Sequence, residues 1–191
     1  MIKKRLAIFA SGSGTNALKL VDYFTNHPYI EIGILICNKK DAPVVQAFEK
    51  IGLTAFILDN QKASQGKLLL NICKNQGVDF VVLAGYLRKI PDELIAKYPE
   101  QIINIHPALL PKFGGNGMYG MRVHEAVKAE GEKFSGISIH LVNANYDDGQ
   151  MIAQFYCNLS ENDTVIDISK KVQRLEHTFY PIVVENYINL F

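Results

Sequence analysis

The chain has 191 residues, 48% of them apolar and 20% charged, and its twenty Lys+Arg against nineteen Asp+Glu leave a formal net charge of +1. That length suits one globular domain with a sizeable core, and the balanced charge excludes a polycation built for nucleic acid or an anionic membrane. The composition is too apolar for a disordered chain, and the three cysteines, Cys37, Cys73 and Cys157, are odd in number and far apart, matching neither a disulfide framework nor a metal-ligand spacing.

The N-terminus, MIKKRLAIFASGSGTN, is basic and then apolar, but Leu6–Ala10 is too short for a secretory signal and runs into a glycine-rich turn, so it reads as a first strand. No apolar run approaches the roughly 20 residues that span a bilayer, which predicts a cytoplasmic protein without a membrane partner. Short β-branched runs then alternate with segments of helical period, the pattern of βαβ units around a parallel sheet. Strands are predicted at Arg5–Ala10, Glu31–Cys37, Thr54–Leu58, Phe80–Ala84 and Ile102–Ile105. Helices are predicted at Asn16–Phe24, Pro43–Ile51, Gly66–Asn75 and Asp92–Lys97, with Pro91 opening the last. After His106 the segment PALLPKFGGNGMYG holds two prolines and four glycines, too irregular for a long element and long enough for a functional loop. Arg122–Ala129 reads as a helix, Gly136–Val142 and Met151–Cys157 as an antiparallel hairpin, and Thr164–Leu190 as a closing helix broken or bent at Pro181. The expected fold is α/β: a Rossmann-like, doubly wound, mostly parallel sheet with a late antiparallel hairpin, in a single domain.

Three motifs carry chemistry. Ser11-Gly12-Ser13-Gly14-Thr15-Asn16 lies between the first strand and the first helix, where glycines admit an anion to free N–H groups at a helix end. The third glycine of the dinucleotide fingerprint and the P-loop lysine are both missing, which favours a phosphate monoester over NAD or ATP. The alternative is a tight turn whose Thr15 or Asn16 merely caps the helix. Asn104-Ile105-His106-Pro107 ends an apolar strand, and strand alternation puts Asn104 and His106 on one face at the carboxyl end, where open α/β sheets bind ligands. Asp147-Asp148-Gly149 suits a tight turn, yet a carboxylate near His106 would favour the imidazolium and raise its pKa. Gly85-Tyr86-Leu87-Arg88 follows another strand end. His140, inside an alternating strand, reads more readily as a hydrogen-bonded sheet histidine than as a second polar group of the site, and Glu176-His177 as a solvated helix face. His27 and His124 receive no role.

In order, GSGTN, LAGYLR, INIHPALLPKF, the DDG turn and the late QRLEH resemble the phosphoribosylglycinamide formyltransferase family over nearly the whole chain. NIHPxLLP marks the wider formyltetrahydrofolate hydrolase and transferase superfamily, and GSGTN narrows it. The resemblance implies transfer of the formyl group of N10-formyltetrahydrofolate, as co-substrate, to the amine of glycinamide ribonucleotide, with no metal. It implies one catalytic domain over residues 1–191, with a phosphate-binding half at about 1–100 and a folate and catalytic half at about 101–191. By the same resemblance Gly14, Thr15 and Asn16 hold the substrate phosphate, and Gln173, Arg174, Leu175 and Glu176 reach its ribose and glycinamide end. Lys62, Leu87, Arg88, Lys89, Ile90, Asn104, Asn143, Ala144, Asn145, Tyr146 and Asp147 line the folate side, and Asn104, His106 and Asp147 are the catalytic trio.

The chain departs from the family at the hairpin turn, where Asp147-Asp148-Gly149 replaces Asp-Gly-Gly, and in a longer, glycine-richer loop at 112–121. Three alternatives compete with this reading. A formyltetrahydrofolate deformylase hands the formyl group to water but normally carries an extra N-terminal domain and lacks the GSGTN loop, and a non-catalytic folate- or nucleotide-binding module would not need the trio. A methionyl-tRNA formyltransferase is expected to be longer and more basic. The sequence accommodates a monomer or a homodimer.

Overall fold

The structure is a computed structural model and describes residues 3–191. It falls into two compact units, one ending at Ile103 and the other running from Asn104 to Phe191. The first contains β1 (Lys4–Ala10), α1 (Thr15–Phe24), β2 (Ile30–Cys37), α2 (Pro43–Lys50), β3 (Thr54–Ile57), α3 (Asn60–Ala63), α4 (Gly66–Asn75), β4 (Phe80–Leu83) and α5 (Asp92–Lys97), and β5 (Ile102–His106) begins in it. The second adds α6 (Met121–Ala129), β6 (Phe134–Leu141), β7 (Met151–Asn158) and α7 (Val165–Ile188). The strand order is β3-β2-β1-β4-β5-β6-β7, a mostly parallel α/β sheet with an antiparallel strand at its end, as the alternating pattern predicts.

In the first unit β1 is central, paired in parallel with β2 on one side and β4 on the other, with Ile8 opposite both Leu35 and Val82. A strand covered on both faces must be apolar throughout, and Leu6 to Ala10 are completely buried. Full burial of each such Leu, Ile or Phe contributes about 1.5–3 kcal/mol relative to exposure. The chain leaves β1 for β2 and β3 and returns on the opposite side as β4, so the carboxyl ends of β1 and β4 flank a topological switch point. The Ser11–Asn16 turn and the Gly85–Ile90 connection emerge there.

In the second unit β6 and β7 form the expected antiparallel hairpin, with Ile137 opposite Phe155 and a register shift between Ile139 and His140. Such a bulge twists the strand locally and re-aims the side chain beside it, here His140. The hairpin turn requires its last glycine, because a Cβ on Gly149 would lie 1.8 Å from the Leu141 carbonyl oxygen. α7 packs on β6 and β7, and the Phe155 and Phe179 rings stack at 3.9 Å.

Three elements differ from the sequence expectation. The short helix α3 was not predicted: its polar sequence NQKA has no apolar period, and it is held locally by the Asp59 carboxylate, which accepts the Lys62 N–H at 2.8 Å. Pro91 is the N-cap of α5 rather than its first residue. The last helix is one element of 24 residues that continues through Pro181. One missing backbone N–H is outweighed there by a continuous buried face of Val172, Tyr180, Val183 and Val184, and by a Thr164–Asp167 capping box at its start. Among the described residues no helix is long and apolar enough to cross a membrane.

Candidate active site

The carboxyl end of β5, the bulged end of β6 and the β6–β7 loop bring four polar side chains of the second unit together. Asn104 and His106 lie two apart on β5 and so share a face, His140 comes from β6, and Asp147 is held in the loop at φ +52°, a left-handed conformation that Asp tolerates better than most residues. Asp147 Oδ2 faces His106 Nδ1 at 3.5 Å and accepts the Gly115 N–H at 2.9 Å. Its Oδ1 lies 3.5 Å from Asn104 Nδ2 and 3.6 Å from His140 Nε2. Asn104 Nδ2 also lies 3.1 Å from His140 Nε2. The sequence-predicted trio is therefore brought into one cluster, joined by His140. Strand alternation alone gave no reason to prefer His140 as a site group; the signal was its parity with Ser138 on a strand leading directly to Asp147.

The ring tautomers follow from what each nitrogen meets. His106 Nε2 lies 2.8 Å from the Phe113 carbonyl, which only accepts, so Nε2 carries a hydrogen and Nδ1 is left as the nitrogen that gains or loses a proton. His140 Nδ1 likewise donates to its neighbour's carbonyl, Leu141 O, at 2.8 Å, and its Nε2 faces both Asn104 Nδ2 and Asp147 Oδ1. Asp147 pulls the His106 pKa upward, the sign expected of a neighbouring carboxylate, but it is not the largest influence on the ring. Burial lowers the His106 pKa below the usual 6.5, and the opposing pull of Asp147 and the Phe113 carbonyl does not recover it. The ring is only 4% exposed, and the cost of charging it in that environment exceeds what a carboxylate at 3.5 Å returns. For Asp147 burial is again the largest influence and raises its pKa, but His140, His106 and the Gly115 N–H together hold the carboxyl below its ordinary value. The resting site thus pairs a neutral imidazole with a carboxylate.

Segment 112–117 reaches the cluster through its backbone alone. The Phe113 carbonyl fixes His106, the Gly115 N–H fixes Asp147, and a Cβ on Gly114 would meet Leu110 Cδ2 at 2.4 Å and Asp147 Cβ at 3.3 Å. Below the strand, Ser138 Oγ donates to the Ala108 carbonyl and accepts the Leu110 N–H, anchoring the loop that follows His106. His124, on α6, is buried with Nδ1 unbonded, and burial together with the nearby His106 lowers its pKa.

In the first unit Gly14 is the N-cap of α1 at φ +74°, with no side-chain cap, so neither Thr15 nor Asn16 caps the helix. The first turn has no side-chain cap to compete with an anion and no acidic residue to oppose one, and Asn16 Oδ1 is buried without a protein partner. Gly14 also fits closely, since a Cβ there would lie 2.3 Å from Val44 Cγ2. Leu87, Arg88 and Lys89 are exposed on the connection after β4, Ile90 is buried, and Lys62 is exposed on α3. Residues 143–147 and Gln173–Glu176 belong to the second unit. There Asn143 Oδ1 accepts the Asn145 N–H, Asn145 Nδ2 donates to the exposed Asp148, and Ala144, Tyr146, Gln173 and Arg174 are exposed, while Leu175 and Glu176 are half-buried. Among the described residues no group of three or more His, Cys, Asp or Glu side chains is arranged to hold a metal ion.

Residues 4–184 match the family model described as formyl transferase. The chain is 40% identical over 188 residues to the chloroplastic phosphoribosylglycinamide formyltransferase of Arabidopsis thaliana, covering 95% of this chain but 64% of that protein's length. It is 33% identical to the phosphoribosylglycinamide formyltransferase of Bacillus subtilis, covering 98% of this chain and 96% of that one. The crystal structure of phosphoribosylglycinamide formyltransferase from Bacillus halodurans superposes with a TM-score of 0.87 at 34% identity, over 96% of this chain and 94% of its own. With near-complete coverage in sequence and in structure, the chain belongs to the formyl transferase family, among the phosphoribosylglycinamide formyltransferases.

Proposed function

We propose that this protein transfers the formyl group of N10-formyltetrahydrofolate to the amine of 5-phosphoribosylglycinamide, a step of purine synthesis, with residues 1–191 acting as one catalytic domain. The observation that carries the reading is the convergence of Asn104, His106 and His140 on the Asp147 carboxylate at a strand end. An amide donor, a neutral base with one committed nitrogen and a carboxylate form a set suited to acyl transfer without a covalent intermediate.

In this reading the substrate phosphate binds the N–H groups of Gly14, Thr15 and Asn16, and Gln173, Arg174, Leu175 and Glu176 hold the ribose and glycinamide end. The folate lies along Lys62, Leu87–Ile90 and Asn143–Asp147. The neutral amine attacks the formyl carbon, forming a C–N bond and moving the carbonyl π electrons onto oxygen. Asn104 Nδ2 turns the hydrogen that meets Asp147 Oδ1 only at 3.5 Å toward that oxyanion, and such a donor is worth about 3–4 kcal/mol of barrier. The new ammonium gives a proton to His106 Nδ1, the imidazolium is stabilised by Asp147, and the proton passes to N10 as the C–N10 bond breaks. The products are tetrahydrofolate and the N-formylated glycinamide nucleotide. Asp147 thus acts on a charge that exists only during turnover, in keeping with a His106 that rests neutral.

The test is tetrahydrofolate release from N10-formyltetrahydrofolate with and without glycinamide ribonucleotide. Release that depends on the amine, with one formylated product per tetrahydrofolate, is expected. Equal release without the amine would replace the transferase reading by a deformylase.

A further inference from the structure

Ser11, the residue after β1, is 1% exposed and lies in a hydrogen-bond network that the catalytic reading does not use. Its N–H donates to the Gly85 carbonyl at 3.0 Å, its hydroxyl donates to Asn38 Oδ1 at 2.5 Å, and the hydroxyl oxygen accepts the Leu87 N–H at 2.9 Å. Asn38, itself 8% exposed at the end of β2, passes the chain of bonds on: its Nδ2 donates to Asn60 Oδ1 at 2.9 Å. Asn60 opens α3, the one-turn helix that carries Lys62. One buried hydroxyl therefore ties together the carboxyl ends of β1 and β2 and the connection after β4. These run on into the phosphate loop, into Leu87–Ile90 and, through Asn60, to Lys62.

A hydroxyl meets both demands with one atom, donating to an amide oxygen while accepting from a main-chain N–H. The Ser11–Asn38 bond is buried and the bonds to Leu87 and Asn60 are half-buried, so a shift of one segment leaves the Ser11 hydroxyl or the Asn38 amide, both buried, short of a partner. Binding that orders one segment thereby orders the others, and the second ligand meets a site already set.

We propose that Ser11 is a positioning residue that couples the phosphate loop to the folate-side segments, so that glycinamide ribonucleotide and the folate each strengthen binding of the other. The inference rests on the function proposed above. By linkage the coupling is the same factor in either direction, and the loss of one or two buried hydrogen bonds corresponds to about three- to tenfold.

The experiment is calorimetric titration of tetrahydrofolate into the protein alone and into the protein saturated with glycinamide ribonucleotide, repeated with Ser11→Ala and Asn60→Ala. Wild type is expected to bind tetrahydrofolate three- to tenfold more tightly when the nucleotide is present. Ser11→Ala should bring that factor close to one and raise both KM values, with kcat changing less than about twofold. Asn60 is exposed on a one-turn helix, so Asn60→Ala keeps the fold outside α3 and should lose part of the coupling even if Ser11→Ala does not fold. Coupling of wild-type size in both variants, or none in wild type, overturns the inference. A wild-type protein that binds neither ligand and transfers no formyl group instead removes the proposed function, a separate result.

Discussion

Replacing Asp147 by Asn tests the charge that the proposed mechanism requires. The substitution removes the carboxylate but keeps an acceptor for the Gly115 N–H, and Asn tolerates the φ of +52° at this position, so the loop should be retained. At 3.5 Å from His106 Nδ1, and at an effective dielectric constant of about 20, the lost attraction for an imidazolium is about 4–5 kcal/mol. Each 1.4 kcal/mol, roughly, is tenfold, so kcat should fall by about a thousandfold. The sign for pH follows from the same pair. Asp147 raises the His106 pKa, which burial has already lowered, so its removal lowers it further. The low-pH limb of the rate, where the neutral base is lost, should therefore move to lower pH. The assay is the initial rate at saturating concentrations of both substrates across a pH series, with thermal unfolding as the control for folding. A variant within tenfold of wild type whose low-pH limb has not moved would refute the role given to Asp147.

Asn104→Ala should lower kcat by about a hundred- to a thousandfold while the KM for glycinamide ribonucleotide changes little, because the amide acts on charge present only in the transition state. A rise in KM alone in steady-state kinetics would contradict this. His106 and His124 both have pKa values lowered from 6.5 by burial, so below that pH the unfolded chain takes up protons that the folded one refuses, and stability falls as pH falls. Thermal unfolding should show Tm dropping between pH 7.5 and pH 5.5, with part of the drop removed by His124→Leu; a flat Tm over that window would exclude the effect. Gly14→Ala places a Cβ 2.3 Å from Val44 Cγ2 at φ +74°, and should cost about 1–3 kcal/mol in urea unfolding while weakening nucleotide binding more than folate binding. Unchanged stability and KM would mean that the loop backbone is not held as described.

The sequence by itself determined the alternating α/β architecture, because strands buried on both faces, such as Leu6–Ala10 and Ile34–Cys37, must read as apolar runs, and helices packed on them must carry a helical period. It also determined that Asn104 and His106 stand at a strand end, whereas Asp147, in a turn that Asp and Gly suit anyway, was singled out with them through the family resemblance. It missed α3, whose stability lies in the Asp59 cap and the Asn38–Asn60 bond rather than in a hydrophobic pattern. It also left a break or a bend open at Pro181, and of the two the break is absent, because the buried face of α7 holds one helix together. Only the tertiary structure decided that His140 joins the cluster, since a bulge in the hairpin register aims it there. The protonation of His106 was decided the same way: the desolvation of a ring buried by its neighbours exceeds the attraction of the carboxylate beside it, and burial is a property of the packed chain that no local spacing contains.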